Sequence, residues 1–248
     1  MFDKEAKPGL EPTRDGILAA VRKAFEEKLS SIVEEEWFKV VEKRVKTGEL
    51  SLECAAEELL LMVLKTGCIR SSPRRRLEMG LVQVYTGEGK GKTSAAFGLA
   101  LRAVGRGLRV CVIQFIKGGF DYGELHSSLY LPNLRVEAYG RGCLVPDPPS
   151  KEDYAEAEKA LRRAREALMS GDYDIVILDE VNTALNLKLI KLEDVMRLLT
   201  EKPGNVELVL TGRGAPKEVI DAADLVTEMR EVKHPYKRGV QARVGIEY

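Results

Sequence analysis

The sequence predicts a three-layer α/β fold with a mostly parallel sheet over residues 81–248, preceded by a helical extension over residues 1–80. Three observations predict it. Short apolar runs alternate with helical stretches along the larger region. One of those runs passes directly into a glycine-rich loop and then a helix. No convincing strand precedes residue 81.

The extension begins with a loose stretch, residues 1–14, punctuated by Pro8, Gly9 and Pro12. From Asp15 to about Lys46 the composition is helical, with Ile17, Val21, Phe25, Leu29, Val33, Trp37, Val41 and Val45 at strict steps of four. A straight helix drifts by roughly 40° at each such step. Either a partner surface winds with the row, or the helix breaks near Ser30 and Ser31. A shorter helix is expected over about 52–65, with Ser51 capping its start and Gly67 ending it. The run from Ser71 through Pro73 to Arg76 reads as a solvated hinge. Gly48 to Leu52 followed by Ala55 and Ala56 is a poor helix-turn-helix opening, because the turn glycine is missing.

In the larger region, strands are expected at about 81–85, 109–115, 135–139, 174–178, 206–210 and 225–232. Helices are expected between them at about 92–105, 150–170, 191–201 and 216–223. Such alternation implies parallel strands covered on both faces. Ser150 with Asp153 suits a capping box, and Pro216 suits a first helical turn.

Composition removes several functions. The 248 residues hold 39 basic and 39 acidic side chains, so no global field gathers nucleic acid or anionic membrane. The longest apolar run, 59–64, is too short to span a bilayer. The N-terminus has no apolar signal region, and the four cysteines (54, 68, 111 and 143) include no CxxC pair. Reduced thiols in a cytoplasmic protein, with no structural zinc, are expected.

The chemistry concentrates in one loop. Val82 to Tyr85 runs into Thr86, Gly87, Glu88, Gly89, Lys90, Gly91, Lys92, Thr93 and Ser94. Glycines let main-chain N–H groups point inward, and a helix start adds partial positive charge, which together cradle a polyphosphate. Lys92 supplies a full charge, and the Thr93 hydroxyl can reach a Mg²⁺. Thr86 stands where the usual pattern has its first glycine, so only the second half of that pattern is met. Downstream, the apolar run 174–178 ends in Asp179 and Glu180, the acids expected to hold the metal of a P-loop, RecA-like domain. Adjacent strand residues face opposite ways, but at a strand's end that rule relaxes, so spacing leaves open which acid serves.

Motifs across 81–248 resemble the ATP:corrinoid adenosyltransferases of the CobA/BtuR type. The shortened loop with its extra lysine is similar, as are Ala95 to Gly105, Val112 to Gly118 and the turn at Gly123-Glu124. So are Leu178 to Asn182, Leu210 to Pro216, and Ala222 through Met229 to Pro235. The resemblance implies transfer of the 5′-deoxyadenosyl group of ATP to the cobalt(I) of a corrinoid, cob(I)alamin or cob(I)yrinic acid a,c-diamide, with triphosphate leaving. It implies Lys92 and Glu180 as catalytic residues, Mg²⁺ on Thr93 and Glu180 with Asp179 next, and ATP contacts from residues 87–94. Gln114, Lys117 and Arg213 join the nucleotide side. Glu124, Asn182 and His234 join the corrinoid side.

The family's corrinoid loop usually carries two aromatics, and here the stretch reads Gly140, Arg141, Gly142, Cys143, Leu144, Val145. Apolar contact remains without the large flat surfaces, and Cys143 is read as a small wall residue. A corrinoid or flavin reductase and a homodimer are the implied partners, with residues 1–80 either a lid on a neighbouring subunit or packing helices. A conventional P-loop ATPase and a non-catalytic nucleotide- or corrinoid-binding regulator are the alternatives.

Overall fold

The computed structural model describes residues 19, 22–23, 26–27, 42–48, 51–56, 76–118, 122–142 and 145–247. The chain divides into two compact units, Met1–Ser71 and Ser72–Tyr248. In the first, residues 42–46 and 52–56 are helical. Ser51 Oγ accepts from Cys54 N at 3.2 Å, as a cap should. The expected break near Ser30, the stop at Gly67 and Arg74 and Arg75 lie outside the described residues.

The second unit runs β1 (Val82–Thr86), α1 (Lys92–Val104), β2 (Val110–Gln114), α2 (Gly123–Leu129), β3 (Leu134–Ala138), α3 (Lys151–Met169) and β4 (Ile175–Asp179). It continues α4 (Val181–Asn186), α5 (Leu192–Glu201), β5 (Glu207–Thr211), α6 (Lys217–Ala222), β6 (Leu225–Glu228) and a 3₁₀ turn, Pro235–Arg238. The sheet order is β3-β2-β4-β5-β1-β6, and every pairing is parallel. One strand, β5, therefore separates the loop strand β1 from the acid strand β4, a RecA-like arrangement.

β2, β4 and β5 are buried along their whole length, which is why their sequences are nearly continuous apolar runs. β6 is exposed throughout and forms an edge. It stops at Glu228, short of the expected 232.

Two apolar clusters flank the sheet. On one face Ala96, Ala100, Ala103 and Val104 of α1 meet Val110, Val112, Ile175, Ile177 and Val209. On the other, Ala157, Ala160, Ala164, Ala167 and Leu168 of α3, at helical spacing, meet Cys111, Ile113, Val176, Leu178, Leu208 and Leu210. Ser150 and Asp153 form the expected capping box: Ser150 Oγ accepts from Asp153 N at 3.3 Å, and Asp153 Oδ2 accepts from Ser150 N at 2.8 Å. Pro216 stands one position earlier than expected, as the cap of α6. Two helices, α2 and α4, occur where only a turn and a strand end are expected.

Candidate active site

The site forms at the carboxyl ends of the strands, the usual ligand crevice of an open α/β sheet. β1 ends at Thr86, and Gly87 (φ +93) and Gly91 (φ +113) take the left-handed backbone that turns the loop into α1. A Cβ on Gly87 or Gly89 would lie 2.5 or 2.7 Å from Met229 O. Gly89 N donates to that same oxygen at 2.6 Å. The loop is thus pressed against the chain leaving β6, and only glycine fits. Lys92 is buried, and its Nζ donates to Gly87 O (2.8 Å) and Gly89 O (2.7 Å). Burial lowers its pKa from the ordinary lysine value, opposed first by the Glu180 charge.

The two-residue alternation of the strands explains the polar centre. Val110 and Val112, Ile175 and Ile177, and Val209 all face α1. Two residues further along, the same alternation brings Gln114, Asp179 and Thr211 onto that face. Asp179 is fully buried and collects four donors. Thr93 Oγ1 (2.8 Å) and Thr211 Oγ1 (2.7 Å) donate to Oδ1, while Gln114 Nε2 (3.1 Å) and Lys117 Nζ (3.0 Å) reach Oδ2. Burial works against the charge of Lys117, but Asp179, then Glu124 and Glu180, raise its pKa above the ordinary value.

Glu180 follows a different path. It caps α4 in a left-handed conformation, φ +62. This costs a non-glycine residue about 1–3 kcal/mol. Its N–H donates to Thr211 Oγ1 at 3.0 Å, and its carboxylate accepts a short bond from the Thr183 hydroxyl. Thr183 Oγ1 also accepts from Arg213 N at 3.2 Å. The structure therefore sets Asp179, not Glu180, against Thr93, while Glu180 faces the cavity.

That cavity measures about 1030 Å³. It is lined by residues 89–94, Lys117, Glu124, Glu180 and Arg213, and also by the apolar side chains of Phe97, Leu101, Leu131 and Val145. Glu124 bonds Gln114 Nε2 at 3.2 Å and lies 3.5 Å from Lys117 Nζ, so it sits with the polar cluster rather than with the apolar wall. The segment holding it is α2, not the turn expected at Gly123-Glu124. His234 lines the cavity and accepts from Tyr236 N at 3.2 Å through Nδ1.

Asn182 is fully buried with both ends of its amide unpaired, and it does not line the cavity as a corrinoid contact would. Cys143 and Leu144 lie outside the described residues. Gly118 and Gly140 abut: a Cβ on Gly118 would fall 1.7 Å from Gly140 O. Lys90 pairs with Glu247 at 2.8 Å, and Arg213 with Glu88 at 3.6 Å on the exposed surface.

Among the described residues no cluster of three or more His, Cys, Asp or Glu forms a metal cage. Nucleotide-bound Mg²⁺ needs only one or two protein oxygens, the rest coming from phosphates and water. Thr93 Oγ1 beside Asp179 Oδ1, with Glu180 facing the same cavity, is a hard-oxygen set of that kind.

Residues 78–248 match the model of the family ATP:corrinoid adenosyltransferase BtuR/CobO/CobP. The chain belongs to this family. It is similar to the corrinoid adenosyltransferase of Escherichia coli strain K12, 37% identical over 171 residues, which is 69% of this chain and 87% of the relative. It is 40% identical over 174 residues to that of Pseudomonas aeruginosa, covering 70% and 86%. With the corrinoid adenosyltransferase CobA of Salmonella typhimurium it shares 37% over 171 residues, covering 69% and 87%. Among solved structures, the RadB recombinase aligns at TM-score 0.41 with 11% identity over 64% of this chain and 78% of that one. The flagellar accessory protein FlaH of Methanocaldococcus jannaschii aligns at 0.41 with 15% identity over 61% and 72%.

The matched family region contains residues that the motifs alone did not single out. Thr211 bridges Asp179 to the Glu180 main chain, and Thr183 bridges Glu180 to the Arg213 main chain. Thr211 was findable, because it ends an apolar run as Asp179 does. Thr183 carries no such signal. Gly245, Ile246 and Glu247 also line the cavity, brought there by the ion pair of Glu247 with Lys90.

Proposed function

We propose that this chain transfers the 5′-deoxyadenosyl group of ATP to the cobalt(I) of a corrinoid and releases triphosphate. One observation supports this reading above the others: a single cavity joins a phosphate-type glycine loop to an apolar wall. The loop suits three linked phosphates, and the apolar lining suits the face of a corrin ring.

The cobalt(I) substrate brings its own electron pair, so the chain need not supply a nucleophile. That pair forms the cobalt–carbon bond at the 5′ carbon. The carbon–oxygen bond breaks, its electrons leave with the triphosphate, and cobalt becomes formally trivalent. The work left to the protein is placement and charge. Loop N–H groups hold the phosphates. Lys92 would exchange its bonds to the loop carbonyls for phosphate oxygens, and Lys90 would exchange Glu247 in the same way. Thr93 and Asp179, with Glu180, would hold Mg²⁺. When bound there, the ion would neutralise part of the leaving group's charge.

Within this class, cob(I)alamin and cob(I)yrinic acid a,c-diamide share ring and metal, and comparing their rates decides between them. Cobalt(I) is a strong reductant made only by reduction, which favours a corrinoid or flavin reductase as partner. The homodimer rests on the family likeness. No helix among the described residues is long and apolar enough to cross a membrane. The cytoplasm is the proposed location.

The test is an anaerobic assay with ATP and chemically reduced cob(I)alamin. The visible spectrum should shift to that of an alkylcobalt product, and phosphorus NMR should show triphosphate. ADP with inorganic phosphate would instead mark a hydrolase, and binding without turnover a regulator.

A further inference from the structure

Lys117 Nζ lies 3.0 Å from Asp179 Oδ2, 3.4 Å from Thr93 Oγ1 and 3.5 Å from Glu124 Oε1. The ring of Tyr122 is 5.4 Å away on another side. A cation is therefore already held among oxygens of the residues proposed above to take Mg²⁺. Its side chain is 16% exposed, and that of Asp179 is not exposed at all.

The coordination of Asp179 is full. A carboxylate offers about four lone-pair positions, and here four donors use them: Thr93, Thr211, Gln114 and Lys117. A divalent ion can reach this carboxylate only by replacing a donor. Thr93 and Thr211 are short side chains fixed at the start of α1 and the end of β5. Gln114 ends a wholly buried strand. Lys117 alone has a long flexible stem, and it borders the open cavity.

We propose that Lys117 is a resident counter-cation. It offsets the charge of the Asp179 carboxylate, with Glu124 beside it, while no nucleotide is bound, and it keeps free divalent ions out of the Thr93–Asp179 site. It yields only when ATP brings its own metal together with the phosphate oxygens that complete the shell. Metal binding thereby becomes dependent on nucleotide. Lys117 is a positioning residue in this scheme, and the scheme rests on the reading of Thr93 and Asp179 as metal ligands.

The test is Mn²⁺ titration of the full chain, followed by electron paramagnetic resonance of the free ion, with and without ATP. For the wild type, Mn²⁺ should bind weakly alone and far more tightly with ATP. Lys117→Met should tighten binding of Mn²⁺ alone by at least about ten-fold, since an ammonium within a few ångströms of a dication repels it strongly. Lys117→Arg, which keeps the charge, should preserve exclusion. Unchanged or weaker Mn²⁺ binding in Lys117→Met overturns the proposal.

Asp179→Asn separates the two readings. If it leaves Mn²⁺–ATP binding as in the wild type, the metal-site reading itself is wrong. If it weakens that binding while Lys117→Met gains nothing, only the counter-cation is wrong. Should Lys117→Met not fold, ¹⁵N-lysine NMR of the wild type decides, with the signal assigned through Lys117→Arg. The Lys117 ammonium resonance should persist on adding Mg²⁺ alone and be lost with Mg²⁺–ATP. A resonance lost with Mg²⁺ alone, or kept with both, overturns the proposal.

Discussion

Thr93 Oγ1 donates to Asp179 Oδ1 across 2.8 Å, tying the first turn of α1 to the last residue of β4. The bond links the element that ends the phosphate loop to the element that carries the acids, two segments 86 positions apart. Thr93, like Lys92 before it, lines the cavity where the phosphates are proposed to lie.

Lys92→Ala should lower kcat/KM for adenosyl transfer by about 10²–10³-fold, the usual cost of losing one aimed donor at a developing charge. The fold should survive, because the Lys92 ammonium bonds only to carbonyls of its own loop in the absence of substrate. Steady-state kinetics and a thermal melt check this. Transfer at the wild-type rate would remove Lys92 from the phosphate site.

Thr211→Val keeps the side chain's shape and removes its hydroxyl. The Asp179 carboxylate then loses a buried donor, and the Glu180 N–H loses its acceptor. Unfolding by urea should show a loss of about 1–3 kcal/mol, and the Mg²⁺ concentration giving half-maximal rate should rise. Wild-type stability and an unchanged metal requirement together would show that Thr211 does not set the geometry of the acids.

Glu137 on β3 provides a pH prediction. Burial pushes its carboxyl upward, but bonds from Arg163 (2.9 to 3.0 Å) and Arg135 (2.6 Å) outweigh this and hold its pKa below the usual value. A depressed carboxylate adds stability that is complete above its unfolded pKa and fades as pH falls through the folded one. Glu137→Gln should therefore be less stable than the wild type by about 1–3 kcal/mol at neutral pH. The gap should narrow as the solution is acidified below the ordinary carboxylate range. Urea titrations across that range measure it, and a gap independent of pH would refute the assignment.

Val145→Trp places a large flat surface in the cavity lining, at a position where the family likeness implies an aromatic. The rate of cob(I)alamin adenosylation, its ratio to that of cob(I)yrinic acid a,c-diamide, or both should change. Identical rates and ratio in variant and wild type would place Val145 away from the corrinoid.

Much of this site is legible in the sequence. The glycine loop, Lys92, Thr93 and the acid pair follow from local pattern, because strand, loop and helix start are consecutive in the chain. Spacing does not decide which acid meets Thr93 if alternation relaxes at a strand's end. It does not: β4 runs through Asp179, and the alternation set by Ile175 and Ile177 still holds there.

What escaped the sequence depends on partners far along the chain. The burial of Asn182 and the bridging by Thr211 and Thr183 come from packing between elements, 31 residues apart in the case of Glu180 and Thr211. The helix α2 escaped for the opposite reason. Its seven residues bury none of their side chains fully, so they carry no apolar stripe to read.

The backbone meeting of Gly118 and Gly140 has a mechanical consequence. One glycine directly follows Lys117, and the other opens the stretch that leads to Val145. With no side chain between them as a cushion, neither stretch can shift toward the other, and a push on one is delivered to its neighbour. Lys117 and the chain that leads to Val145 are thus hinged on one hard stop of main chain against main chain, which only a side chain at either glycine would pry open.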